Sequence, residues 1–369
     1  MKFTVLFFAC AVNCHTLFTN LFINGKDQGD GTCVRMPRDP STANGPTVPI
    51  TGDVMACGRD GNKPVAFTCP TPHRATLTFE FREHSEKRGG GSIDVRHKGP
   101  CAVYLKKVEN MTADNAAPGP GWFKIWEDGY NNKTMKWCVD TLVENNGLLS
   151  VRLPPGLPSG NYLVRPEILA LQNAVKGDPQ FYTGCAQLSV EQGPDVALKI
   201  PSVNSVSIPG YVSLNDAGLK YDLYQKPLAE YKMPGPAVFI PTGQVSGKAS
   251  VKGEGAVPGD CIVKNANWCA KPVPSFSDES GCWASDKDCW SQMKICFDTA
   301  PPSGSAGCKT WETYCKQLQK SCESKAFNGP PQIAEKEKTV DLPGKIPQPW
   351  NDVFDLAPAH RRRVRRQLH

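Results

Sequence analysis

Histidine is scarce in this chain: six in 369 residues, with none between His97 and His360. A histidine-built centre must therefore draw on very few positions. Long apolar runs are scarcer. After the first fourteen residues no stretch approaches the roughly 20 apolar residues needed to cross a bilayer, so no membrane partner is expected. Excess charge is also missing from the body. Formal net charge is +6, but Arg361, Arg362, Arg363, Arg365 and Arg366 sit at the end of the chain and Lys2 near its start. The part between is close to neutral, which argues against nucleic acid, since phosphate binding needs a basic face. An uncharged ligand such as a polysaccharide suits it. No long helical period appears before about residue 240. Acidic residues are scattered, and nothing places two carboxylates at the separation that glycoside hydrolysis requires.

Cysteine, by contrast, is abundant: sixteen residues. Cys10 and Cys14 fall in residues 1–14, which read as a signal peptide: Lys2, then an apolar core from Val5 to Val12, then the small Cys14 before a cut. The other fourteen are an even number and fit seven disulfides in an oxidising compartment. A secreted, extracellular protein is therefore expected. Asn110-Met-Thr112 and Asn132-Lys-Thr134 then become candidate glycosylation sites at Asn110 and Asn132.

The chain divides by composition. Residues 15–241 show short alternating or β-branched runs between Gly/Pro-rich turns: Thr76–Phe81, with Leu77, Phe79 and Phe81 on one face, then Ala102–Lys107, Leu149–Leu153, Tyr162–Leu171 and Ala186–Val190. This pattern predicts an all-β, immunoglobulin/fibronectin-like β-sandwich with long loops. Cys33, Cys57, Cys69, Cys101, Cys138 and Cys185 lie here, and sequence alone leaves their pairing open. Residues 242–258 read as a Gly/Ser/Val/Lys linker. Residues 259–324 form a small cysteine-rich module. Cys282, Cys289 and Cys296 are seven apart, as are Cys308, Cys315 and Cys322, so each trio lines one helical face. Pro301, Pro302 and Gly304 break the chain between them. The spacing predicts a helical hairpin stapled by disulfides, with Cys261 and Cys269 closing the strand before it; export disfavours a zinc site. Trp268, Trp283, Trp290 and Trp311 either make a carbohydrate-contacting face or pack between the bridges, and packing is the expectation. Residues 325–369 read as a Pro- and charge-rich disordered tail with a basic end.

The chemistry rests on position 15. Cleavage after Cys14 would make His15 the first residue, offering two ligands at once: the α-amino nitrogen and ring Nδ1. The amino group, with an unperturbed pKa of about 8, yields its proton to a metal at modest cost. A second histidine opposite would complete a T of three nitrogens, and tetragonal nitrogen ligation with open positions suits copper. His97 is the candidate. His73 and His84 read as surface residues, and His360 and His369 lie in the tail.

Here a resemblance becomes specific. His15-Thr-Leu-Phe-Thr, Cys57-Gly, His97-Lys-Gly-Pro100, Val103-Tyr-Leu105, Gly119-Pro-Gly-Trp-Phe-Lys-Ile125, Pro154-Pro-Gly156, Gly160-Asn-Tyr-Leu-Val-Arg165, and Gln180-Phe-Tyr182 ahead of Cys185 are similar, in order and spacing, to auxiliary activity family 9, the fungal lytic polysaccharide monooxygenases formerly called glycoside hydrolase family 61. The resemblance covers residues 15 to about 240. It implies a copper-dependent oxidoreductase with one copper ion per chain, held by His15 and His97 with Tyr182 axial, and with Gln180 hydrogen-bonding an oxygen species at the metal. It implies cleavage of cellulose or another β-1,4-glucan at carbon 1 or carbon 4, using O2 or H2O2 and an electron donor such as ascorbate, phenols or cellobiose dehydrogenase. The expected pairing is Cys57–Cys185, Cys33–Cys69 and Cys101–Cys138, in a monomer. Pro209-Gly-Tyr211 matches the family's late-loop aromatic, making Tyr211 the expected sugar-stacking platform. One departure stands out. The family usually carries a histidine within Ala-Leu-His; this chain has Ala170-Leu171-Gln172, and Arg165-Pro166-Glu167 where Arg-His-Glu is common. Gln172 can donate a hydrogen bond but cannot serve as a proton donor near neutral pH. That keeps two rivals open: a non-catalytic copper-binding protein and a cell-wall-binding protein on the same fold.

Overall fold

A computed structural model describes residues 15–242, 255–333 and 342–349. The expected signal peptide, most of the linker and the arginine-rich end lie outside the described residues. The strands are, in chain order, β1 (Leu17–Ile23), β2 (Lys26–Asp27), β3 (Val34–Arg35), β4 (Cys69–Pro72), β5 (Thr76–Arg82), β6 (Cys101–Val108), β7 (Gly119–Asp128), β8 (Tyr130–Asn131), β9 (Lys136–Trp137), β10 (Leu148–Arg152), β11 (Gly160–Ala170), β12 (Gln180–Thr183), β13 (Cys185–Glu191), β14 (Val206–Ile208), β15 (Val263–Asn265) and β16 (Trp268–Ala270). The α-helices are α1 (Val54–Cys57), α2 (Cys138–Glu144), α3 (Glu279–Thr299) and α4 (Ala306–Glu323).

Two sheets make the sandwich. One runs β10-β5-β1-β2; the other runs β14-β7-β6-β11-β13-β3, with β12 added on β11 and β4 parallel to β13. Alternation along β5 sends Leu77, Phe79 and Phe81 inward, as the period of two requires. They join Phe18, Leu21, Leu105, Phe123 and Val164 in one core. The opposite face of β5 is buried as well. Glu80 and Arg82 are each 1% exposed, because Arg82 pairs with Glu80 and Asp30, and Arg88 with Glu80 and Asp27. Polar residues on that face are thus paired ions rather than a wet surface. Disulfides Cys33–Cys69, Cys57–Cys185 and Cys101–Cys138 tie loops to the sheets.

The cysteine-rich part is a helical hairpin. Cys282–Cys322, Cys289–Cys315 and Cys296–Cys308 are nested, and their sequence separations of 40, 26 and 12 shorten by two heptads per rung. Only antiparallel helices with both trios facing inward produce that ladder. Cys261–Cys269 closes the β15–β16 hairpin. Trp311 is fully buried and Trp268 packs edge-on to it at 6.2 Å, as packing between bridges predicts; Trp283 is instead 39% exposed. The module docks on the loop before β3. Asn267 accepts from the Cys33 amide at 2.9 Å and donates to the Gly31 carbonyl at 2.7 Å. A Cβ on Gly31, which has φ +73°, would lie 2.8 Å from the Ala266 methyl, so glycine alone permits this approach. Part of the expected unordered tail also rests on the sandwich: Ile346 lies beside Gly25 and Gly344 beside Asn146.

Candidate metal centre

Residue 15 is positioned by its neighbour. The Thr16 amide donates to the Asn44 carbonyl at 3.1 Å and its hydroxyl to the Ser92 carbonyl at 2.6 Å. The second contact fastens the start of β1 to the loop that carries His97. That loop is pinned to the end of β11. The Leu171 amide donates to the Lys98 carbonyl at 2.9 Å and the Leu169 amide to the Pro100 carbonyl at 3.0 Å. A Cβ on Gly99 would sit 1.9 Å from the Leu169 carbonyl oxygen, so a glycine between His97 and Pro100 is what lets the loop lie this close. On the far side β12 pairs with β11, Tyr182 opposite Ile168 and Gln180 opposite Ala170. Gln180 and Tyr182 are two apart on a strand and share a face; Tyr182 packs at the edge of the larger core, and Phe181, on the opposite face, in the second buried cluster.

These elements bring His15, His97 and Tyr182 together. The two imidazole centroids are 6.3 Å apart with planes at 89°, and each lies 6.1 Å from the Tyr182 ring. One metal ion between two imidazole nitrogens at about 2.0–2.1 Å, with the ring radii added, calls for centroids about 6 Å apart. Burial, helped by nearby Arg59, holds the His15 ring below its ordinary pKa. Burial does the same for His97, with His15 and Arg96 adding to it against Asp94. Both rings are therefore held in the neutral form, which carries the lone pair a metal needs. His97 Nδ1 is buried with no hydrogen-bond partner among the described residues. No group of three or more His, Cys, Asp and Glu gathers among those residues; an amino group at His15, expected on cleavage after Cys14, would add a third nitrogen. The donor set fits copper.

A chain of amides flanks the tyrosine. The Tyr182 hydroxyl donates to Gln180 Oε1 at 3.1 Å, and Gln172 Nε2 donates to the same oxygen at 2.7 Å. Gln180 Nε2 in turn donates to Asp178 at 3.0 Å. Gln172 Oε1 is buried and has no hydrogen-bond partner among the described residues. Gln172 thus occupies the place beside Gln180 where the family's histidine is expected, and offers an amide there.

Tyr211 is not where a platform must be. It is 9% exposed, its hydroxyl donates to Glu167, and Arg165 Nη2 donates to it at 3.1 Å. The cause is Arg165, which is fully buried and ion-paired to Glu167 at 2.6 Å; the tyrosine completes that pair's polar surroundings and stacks under the guanidinium at 5.4 Å. Sugar stacking needs an exposed ring, so the assignment to Tyr211 is corrected. Tyr224 is the ring in an accessible position: it is 68% exposed, and its hydroxyl donates to the Gln172 carbonyl at 3.1 Å. Sequence reading missed it because nothing local separates it from Tyr211, Tyr221 and Tyr231; the polar Gln225-Lys226-Pro227 stretch is the only hint. Asp178 was missed too, although alternation through Asp178, Gln180 and Tyr182 would have found it. Asn110 and Asn132 are both exposed, His84 is exposed, and His73 is bonded to the Pro155 carbonyl.

The chain is similar to known proteins. The family model described as "Auxiliary Activity family 9 (formerly GH61)" matches residues 15–231. An AA9 family lytic polysaccharide monooxygenase H of Botryotinia fuckeliana (strain B05.10) is 44% identical over 358 residues, 92% of this chain and 81% of that protein. The AA9 family lytic polysaccharide monooxygenase C of Aspergillus tamarii is 46% identical over 328 residues, 86% and 87% of the two chains. Among solved structures, CvAA9A superposes with TM-score 0.54 at 31% identity, covering 61% of this chain and 98% of its own. A cellulose-active polysaccharide monooxygenase from M. thermophila gives 0.51 at 27%, covering 62% and 100%. The chain belongs to Auxiliary Activity family 9, the copper-dependent lytic polysaccharide monooxygenases.

Proposed function

We propose that this protein is a secreted enzyme in which the His15 amino group, the His15 ring and His97 would hold one copper ion, with Tyr182 beside them, and that it oxidatively opens β-1,4-glucan chains such as cellulose at carbon 1 or carbon 4. The observation that carries the reading is the pair of imidazoles 6.3 Å apart at 89°, with Tyr182 equidistant from both. Copper, reduced by an external donor such as ascorbate, a phenol or cellobiose dehydrogenase, supplies the activation of O2 or H2O2. The chain's own residues do the rest. Donation by the Tyr182 hydroxyl to Gln180 orients the phenol beside the two imidazoles. Asp178 holds the Gln180 amide from outside, so Gln180 and Gln172 present a fixed polar edge to an oxygen co-substrate. Gln172 positions such a ligand by hydrogen bonding, and a proton must reach it from water or from the substrate side. Tyr224, anchored to the Gln172 backbone, offers the exposed ring on which a glucan's C–H face stacks. Residues 15–241 form the catalytic unit and 259–324 an appended module.

The test begins with N-terminal sequencing of exported protein, which must start at His15. Incubating that protein with cellulose, copper and ascorbate yields aldonic acids or ketoaldoses; His97→Ala yields neither and binds copper weakly. Tight copper binding without oxidised products would instead support the non-catalytic copper-binding reading.

A further inference from the structure

The outer face of α3 carries aromatic rings of which the hairpin's packing takes up only part: Trp290 leans on the hairpin core, while Trp283 and Phe297 stay exposed. Each bridged cysteine on α3 is followed by such a ring: Trp283 after Cys282, Trp290 after Cys289 and Phe297 after Cys296. Trp283 and Phe297 are 39% and 37% exposed, and Trp290 is half-buried between them. The Trp290 indole donates to Asp286 at 3.0 Å, one turn back, which fixes its ring. Seven residues of α-helix rise about 10.5 Å and turn back by only about 20°. The three rings therefore make a nearly straight line, about 100° around the helix from the cysteine seam. Among the described residues, the module meets the sandwich through Lys264, Ala266, Asn267, Pro301 and Pro302, none of them on α3, so that docking leaves the line open.

We propose that Trp283, Trp290 and Phe297 form a second polysaccharide-contact line, which takes one extended β-1,4-glucan chain at a cellulose surface. Three features choose that occupant. The spacing equals the two-sugar repeat of an extended β-1,4-glucan, along which every second glucose presents the same face. The residues are flat aromatics, whose exposed rings can stack on the C–H faces of sugars. Lys287 and Lys294 share the face with Asp286 and Asp298, Lys294 being paired to Asp298, so the surface suits an uncharged ligand. Three bridges to α4 hold the line rigid, so little ordering is lost on contact. The choice of glucan rests on the proposed function; the existence of the line does not.

The experiment is an adsorption isotherm of the full chain on microcrystalline cellulose with a chelator present, so that the copper centre is taken out of play. Trp283→Ala with Phe297→Ala should weaken adsorption roughly tenfold. Copper affinity and products from soluble cello-oligosaccharides should stay unchanged, and so should the helical circular dichroism. Ile295→Ala, which removes an exposed aliphatic from off the line, should leave adsorption as it was. Equal adsorption by wild type and double variant would overturn the proposal, and so would an equal loss in Ile295→Ala. If no oxidised product ever forms while adsorption still depends on the rings, the oxidative reading fails and the contact line stands.

Discussion

The sandwich and the helical hairpin solve the same problem by opposite means. In the larger core of the sandwich, thirty-six buried residues pack together and only four are cysteines. The hairpin's core has eleven, and four are cysteines. The sandwich buries enough apolar surface to be held by it, and its disulfides trim loops. The hairpin is too small to do so, and its bridges stand in for the missing core. The difference extends to function. The sandwich's second buried cluster, around Tyr104 and Tyr211, keeps a fully buried Arg165–Glu167 pair, and its sheets keep two partly buried histidines in place. A narrow stapled unit has no such interior, and only its outer surface is available for contact.

The sharpest way to break this contrast is to remove burial from the sandwich. Phe79 is fully buried in the centre of β5, 5.5 Å from Phe18. Phe79→Ala should cost about 4 kcal/mol in a urea melt, while the hairpin's resistance to protease is unchanged. A cost below about 1 kcal/mol would show that the sandwich does not depend on its core as argued.

The second test removes a staple. With the inner two bridges intact, Cys282–Cys322 closes an added loop of about fifteen residues, so Cys282→Ala with Cys322→Ala should cost the hairpin about 3 kcal/mol. Limited proteolysis read by mass spectrometry would show earlier cuts in α3 and α4. Oxidation of soluble cello-oligosaccharides should not change, because no ligand of the proposed centre lies in the module. Unaltered proteolysis would mean that Trp311, Leu318 and their neighbours suffice.

The same contrast explains what could be read from the residues alone. Strands announce themselves where one face is apolar, and β5, β6, β10, β11 and β13 stand within two residues of their predicted limits. The heptad cysteines predicted the hairpin because a helical period and a covalent bond leave few other solutions. The centre was legible through His15 and His97, where spacing and resemblance coincide. Tyr211 failed for a physical reason. Which loop tyrosine turns inward is decided by Arg165 and Glu167, some forty-five residues earlier, and no local pattern encodes a partner that far away. Tyr224 and the resting place of residues 342–349 are tertiary outcomes of the same kind.

The smallest effect expected is electrostatic, and it also separates the two parts. Asp128 ends β7, opposite Cys101 on β6, and burial pushes its carboxyl up to about 6. A folded-state value above the unfolded one means the native state binds the proton more tightly. Its contribution to stability is therefore complete below about pH 4 and is lost as pH rises through about 6. Asp128→Asn keeps the shape and removes the charge. After allowing for partial solvent screening, it should raise sandwich stability at pH 7 by about 1 kcal/mol and do nothing at pH 4. The hairpin, whose bridges do not titrate, should show no matching change in protease resistance between those pH values. Melts at the two pH values decide it: a gain equal at both would place the effect in packing rather than charge, and a gain only at pH 4 would reverse the sign argued here.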